Sequence, residues 1–286
     1  MRFPTACRPT AFPGLAAAAS TVLISASAAH AGGTILAIQD FDTGFGDSAL
    51  ATYAATDELA LDLGDVIALP NTDDMGDTVF LNGVEAFPEL GFASTFTNNF
   101  DNADGINGDL VGVTNRTSPP APGGDRPAGF DTGAFGFGIT DPDGTLAVTF
   151  DPVNVDGFEN IQLSIALFIS DTTYETSDRF AVTASDASST VTLFELVGDP
   201  VDLDDPLESF AADSAAEIAT GGDGFIPLFL DVDGLTGDIT FTVSFAAGGE
   251  TEAAFFDTLV VTGDEIPEPA GLSLLALGAL ALRRRR

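Results

Sequence analysis

Apolar and polar residues alternate with a period of two along much of this chain. The pattern is sharpest at 239–245, where Ile239, Phe241, Val243 and Phe245 fall on one side and Thr240, Thr242 and Ser244 on the other. Such alternation predicts a strand with one face buried and one in water. Residues 145–150 alternate through Leu146, Val148 and Phe150. Residues 161–169 alternate through Ile161, Leu163, Ile165, Leu167 and Ile169. Shorter strands are predicted at 180–184 and 191–196, and earlier ones at 34–39, 78–81, 92–97 and 135–139. Segments 225–230 and 254–261 are apolar on both faces, as inner strands are.

Turn chemistry separates these segments. Asp141, Pro142, Asp143 and Gly144 form one such break, Asp156-Gly157 and Asp233-Gly234 two more, and Gly248-Gly249 another. Helical periodicity is confined to the two ends, apart from 211–219, which suits a short surface helix. Ten or so short strands in residues 32–265 predict an all-β fold, a single antiparallel β-sandwich of jelly-roll kind. A right-handed β-helix is the alternative, but it needs a repeat in the low twenties, which the sequence lacks. Residues 118–129, rich in Pro and Gly, read as a long loop within one domain or as a linker between two.

Composition narrows the chemistry. The chain has 286 residues, with 44 Asp and Glu against 9 Arg and no Lys. Residues 32–265 hold 43 of the acidic residues and only Arg116, Arg126 and Arg179, a net charge of −40. A nucleic-acid partner is excluded, because no basic surface is available to replace counterions. The same segment has no His, Cys, Lys or Trp. That removes His-based triads, thiolate nucleophiles, Schiff bases and His-bound zinc or iron. A carboxylate pair of the glycosidase type is chemically available, but 43 acidic residues supply pairs without meaning. No catalytic residue is assigned, and the expectation is a protein that is not an enzyme.

The two ends read as addresses. Arg2 and Arg8 precede an Ala-rich apolar stretch at 15–29, and Ala29 and Ala31 flank His30 as a small-x-small cleavage site. Residues 1–31 are therefore predicted to be a signal peptide. At the other end, Pro267, Glu268 and Pro269 precede an uncharged apolar stretch at 270–282 and then Arg283, Arg284, Arg285 and Arg286. The arginines hold that end on the cytoplasmic side. A helix of this length rises only about 20 Å, short of a hydrocarbon core of about 30 Å, so it suits a transient stop in the inner membrane. The order of Pro-Glu-Pro, short apolar helix and Arg cluster resembles the PEP-CTERM sorting signal. The resemblance covers residues 266–286 and implies an exosortase as partner. It also implies export through an inner-membrane intermediate to the cell surface or an extracellular polysaccharide matrix.

Calcium is the cofactor that suits an Asp-rich, His-free domain, since hard cations take oxygen ligands. One candidate is Asp101, Asp104, Asn107 and Asp109, with Gly105 and Gly108 between them. Their spacing is not that of an EF-hand, and a solvated turn cluster is the alternative. A second candidate joins distant residues. Asp257 sits among Phe255, Phe256 and Leu259, where an unpaired buried carboxylate costs several kcal/mol. Asp42, just after the first strand, becomes its neighbour if the terminal strands pair. This Phe-Asp pair near each end of a β pattern is similar to carbohydrate-binding-module jelly rolls, and the resemblance implies a structural calcium tying first and last strands. Against a lectin site stand the missing Trp and the presence of only Tyr53 and Tyr174, while the 24 Phe suit a core. The expected role is a structural or adhesive surface protein, with a carbohydrate-binding module and a carboxylate hydrolase as rivals.

Overall fold

The computed structural model describes residues 33–42, 63–71, 80–83, 89–99, 110–115, 130–140, 142–170, 174–198, 208–209, 225–248 and 252–267. All of them lie in one unit, Gly33–Arg286. The described elements are all strands. In chain order they are β1 (Thr34–Gln39), β2 (Val66–Ala68), β3 (Phe92–Thr97), β4 (Leu110–Thr114), β5 (Gly136–Thr140), β6 (Gly144–Phe150) and β7 (Val153–Asn154). Then follow β8 (Phe158–Ile169), β9 (Arg179–Ser185), β10 (Thr190–Val197), β11 (Glu208–Ser209), β12 (Ile226–Asp231), β13 (Asp238–Ala247) and β14 (Ala253–Glu265).

They form two antiparallel sheets. One runs β12-β8-β14-β5-β4, with β1 also on β14. The long β14 pairs with β5 through Ala253 to Phe256 and with β1 through Leu259 to Gly263, while β8 lines its other edge. The first and last strands are therefore neighbours. The second sheet runs β11-β10-β9-β13-β6-β3-β2, with β7 beside the start of β13.

The alternation explains why the sheets stack. Along β13, Ile239, Phe241, Val243 and Phe245 are fully buried and the residues between them are not. Leu146, Val148 and Phe150 do the same on β6. These inward rows meet those of the first sheet in one apolar core. Phe92 of β3 packs edge-on to Phe137 of β5 at 5.9 Å, and Phe41, just beyond β1, touches Phe92, Phe137 and Phe256. Burial of side chains this large contributes about 1.5–3 kcal/mol each. The architecture is thus a β-sandwich, two sheets packed over a shared core.

Three features differ from expectation. Segment 225–230 is not an inner strand: β12 lies at a sheet edge, with residues alternately half-buried and exposed and Phe229 41% exposed. Pro227 suits this place, since a residue without an N–H leaves one ladder bond unmade and is confined to edge strands. Phe80 and Leu81 lie outside any strand, because the Asn71 carboxamide takes the Leu81 and Asn82 N–H groups at 2.9 and 2.6 Å. Strands β2, β4, β7 and β11 are additional. β4 hides its alternation behind Gly112, whose φ of 123° places it where a side chain is strained. The Pro/Gly-rich segment 118–129 and the helix expected at 211–219 lie outside the described residues.

Candidate functional site

Asp257 is on β14, in register with Ala166 of β8. Phe256 before it enters the core, so Asp257 points to the outer face of the six-stranded sheet, beside Phe255 and Phe168. It is nonetheless fully buried, because residues 131–135 cross over it. The Thr132 N–H donates to its Oδ2 at 2.9 Å and the Thr258 N–H to its Oδ1 at 2.7 Å. Thr258 has a positive φ of 43° at a register break between Asp257 and Val260, and that kink turns its N–H back onto the carboxylate. The hydroxyls of Thr132 and Thr258 lie 2.5 Å apart.

Asp42 reaches the same loop from the other terminal strand. Phe41 adopts φ 58°, its N–H held at 2.6 Å by the buried Gln39 side chain. This bend sends the Phe41 ring into the core and Asp42 out towards the loop. Asp42 Oδ1 accepts from Ala134 N at 2.8 Å and Phe135 N at 3.0 Å. Gly133, at φ 64°, is required: a Cβ there would lie 1.3 Å from Asp42 Oδ2. Phe130 and Phe135 pin the loop, Phe130 against Phe255 and Phe225, and Phe135 against the main core.

Electrostatics make this arrangement costly when both groups are ionised. Burial pushes Asp257 up to about 7, against the pull of the Thr132 and Thr258 N–H groups, and the charges of Asp42 and Asp131 push the same way. Burial also raises Asp42, and its two backbone hydrogen bonds only partly offset this. Among the described residues the only basic side chain is Arg179, on the other sheet, where it pairs with Glu195.

Of the residues singled out in the sequence, the structure thus brings Asp42 and Asp257 to one loop. Asp101, Asp104, Asn107 and Asp109 lie outside the described residues. So do Ala29, Ala31, Glu268, Pro269 and Arg283 to Arg286; Pro267 is the last described residue.

A second acidic group was not legible. Glu175, Asp178 and Glu252 present carboxylate oxygens within 4.8 Å of one another, and Asp178 and Glu252 are each 1% exposed. The Glu175 N–H donates to Asp178, and the Gly248 N–H to Glu252 Oε2 at 2.9 Å. Burial raises Asp178, and the Glu175 carboxyl adds to it. Beneath lies Tyr174, fully buried, its hydroxyl 3.0 Å from Ser170 Oγ and 3.5 Å from the Ala253 carbonyl. Nothing in the spacing marks these acids among 43.

The outer face of the eight-stranded sheet is different in kind. Its outward positions are Thr95 and Thr97 on β3, Thr145 and Thr149 on β6, Thr240, Thr242 and Ser244 on β13, and Thr183 and Ser185 on β9, with Ala between. Arg179 and Glu195 mark its margin.

No protein-family model matches the sequence, and no curated protein matches it. Among the described residues no helix is long and apolar enough to cross a membrane. Solved structures with some likeness include a carbohydrate-binding module of family 29, 14% identical, covering 48% of this chain and 75% of its own, at a TM-score of 0.26. A cleaved adhesin domain of Lys-gingipain from Porphyromonas gingivalis is 16% identical over 50% of this chain and 81% of its own, at a TM-score of 0.28. A cyclase from Fischerella sp. TAU is 10% identical over 77% of this chain and 100% of its own, at 0.31. Likeness at this level carries nothing about ligand or activity.

Proposed function

We propose that this chain is an exported, non-catalytic β-sandwich of jelly-roll organisation, displayed at the cell surface or in an extracellular polysaccharide matrix. Calcium on Asp42 and Asp257 staples its first and last strands to the 131–135 loop. The carrying observation is the convergence of those two carboxylates, one fully buried, while the only basic side chain among the described residues, Arg179, sits on the other sheet paired with Glu195. A buried charge without a partner either takes up a proton or binds a cation.

The residues fit calcium. Both are hard oxygen donors, and each carboxylate has about four lone-pair directions. Main-chain N–H groups engage two on each, Ala134 and Phe135 on Asp42, and Thr132 with Thr258 of β14 on Asp257. When bound, calcium supplies the positive charge this place lacks. Asp42 and Asp257 would hold it, and the loop's main chain keeps both carboxylates oriented. Their use as backbone acceptors in a tight loop also argues for a structural rather than a catalytic role.

Export rests on the terminal residues: Ala29 and Ala31 for signal cleavage, and Pro267, Glu268 and Pro269 before the Arg283–Arg286 cluster for exosortase processing. Chelator-treated protein at pH 8 should melt higher on addition of millimolar calcium, by mass action on the native state. An unchanged melting temperature would remove calcium from the reading. A second reading, a carbohydrate-binding module, is favoured by one observation, the hydroxyl-lined outer face of the larger sheet.

A further inference from the structure

We infer that the outer face of β3, β6, β13, β9 and β10 is a docking platform for a neutral polysaccharide chain. This rests on the binding-domain reading above and assigns its surface. One row of the face runs Ala93, Thr149, Thr242, Thr183 and Thr192 across five adjacent strands. At about 4.8 Å between strands the row is about 19 Å long, with parallel rows about 6.7 Å to either side. The next row crosses Thr95, Ala147, Ser244 and Ala181 and ends at Glu195, which pairs with Arg179.

Three properties select the occupant. First, in a domain of net charge −40, no Asp, Glu, Lys or Arg projects from the Thr242 row. The other sheet's outer face carries Asp231, Asp257 and Asp264. Docking along the central Thr row therefore desolvates no charge, a step that costs several kcal/mol per ion elsewhere, while Arg179, Glu195 and Asp238 stay at the margin of the face. Second, hydroxyls both donate and accept, which matches a polyhydroxylated ligand, and each Thr also offers a methyl to a sugar's C–H face. The Thr149 and Thr242 hydroxyls bond each other at 3.1 Å, which engages one proton and leaves the other for a ligand or water. Third, β-branched Thr has few rotamers to lose on binding, so the platform is pre-ordered. The net charge repels an anionic polymer, and a cationic one would be drawn to the acidic surfaces rather than to this one.

The test uses the full-length exported product and measures retention on insoluble neutral β-glucan and on chitin, with alginate as the anionic arm. Wild type should be retained on a neutral polymer, with little dependence on salt. Thr242→Glu places a charge at the centre of the row and should cut retention at least tenfold. Gln162→Glu, on the other sheet's outer face, should leave it unchanged. Circular dichroism and melting temperature report folding, and Thr183→Val, which keeps shape and removes one hydroxyl, should weaken retention if the Thr242 variant does not fold. No retention of folded wild type on either neutral polymer would overturn the proposal, as would retention unaffected by Thr242→Glu. Retention on alginate alone, and only with calcium, would overturn it in favour of cation bridging. Retention unaffected by Thr242→Glu beside an intact calcium response would reject this face while leaving the domain reading standing. Release of soluble sugar from a neutral polymer would reject the non-catalytic reading itself.

Discussion

Asp257 makes the stability of this domain depend on pH in an unusual direction. Its carboxyl is raised from 3.8 to about 7 by burial. A group whose folded value is raised binds its proton more tightly in the native state. The stability it contributes is therefore complete below pH 3.8 and is lost as pH climbs towards and past 7. The whole loss is on the order of 4 kcal/mol at 1.36 kcal/mol per unit, of which about 3 kcal/mol falls between pH 5 and pH 8. For a domain of this size that is about 6–12 °C in melting temperature. The perturbation is Asp257→Asn, which keeps shape and one acceptor but cannot ionise. The assay is thermal melting in chelator from pH 5 to pH 8, wild type beside variant. Wild type should lose stability over this range, and the variant should lose about 3 kcal/mol less. Asp178, raised for the same reason, contributes to both curves and cancels in the difference. Parallel curves would refute the reasoning, because they would mean that Asp257 is ionised throughout without cost. Calcium should restore wild type at pH 8 and do little at pH 5, where the proton competes for the same oxygens.

Other consequences are as direct. Gly133→Ala puts a Cβ on Asp42 Oδ2 at a positive φ, so it should destabilise by more than about 1 kcal/mol and blunt the calcium response, as read by melting with and without the ion. Tyr174→Phe removes a buried hydroxyl that bonds Ser170 and the Ala253 carbonyl, and should cost about 1–3 kcal/mol in denaturant unfolding. Replacing Pro267, Glu268 and Pro269 by alanine should leave unprocessed precursor in membrane fractions on immunoblots; normal maturation would remove the sorting proposal.

The strands were most legible where one face is core and the other solvent. β3 falls on residues 92–97 as expected, because its burial alternates cleanly; β1 also falls on 34–39, although its burial shifts from exposed to buried along the strand rather than alternating. β12 was misread because an apolar run looks the same at an edge as in a sheet centre, and only the place of Pro227 in the ladder separates them. At the candidate site, Asp257 was legible as a carboxylate in an apolar strand, and its link to Asp42 followed from pairing of the terminal strands. The loop that completes the site was not. Thr132, Ala134 and Phe135 act through main-chain N–H groups, which every residue but proline has. Asp178 and Glu252 were hidden for a different reason: their burial depends on where the β13–β14 connection meets the approach to β9.

Calcium titration calorimetry of chelator-treated protein near pH 7, run in buffers of differing ionisation enthalpy, tests the Asp42–Asp257 calcium staple most directly. The acidic surface will take up calcium weakly at many places, so the Asp42→Asn and Asp257→Asn variants set the baseline. Wild type should show one saturable site above that baseline and release protons on binding, because Asp257 must give up its own. Both variants should lose the site and the proton release together. A wild-type titration that overlays both variants would contradict calcium binding at Asp42 and Asp257.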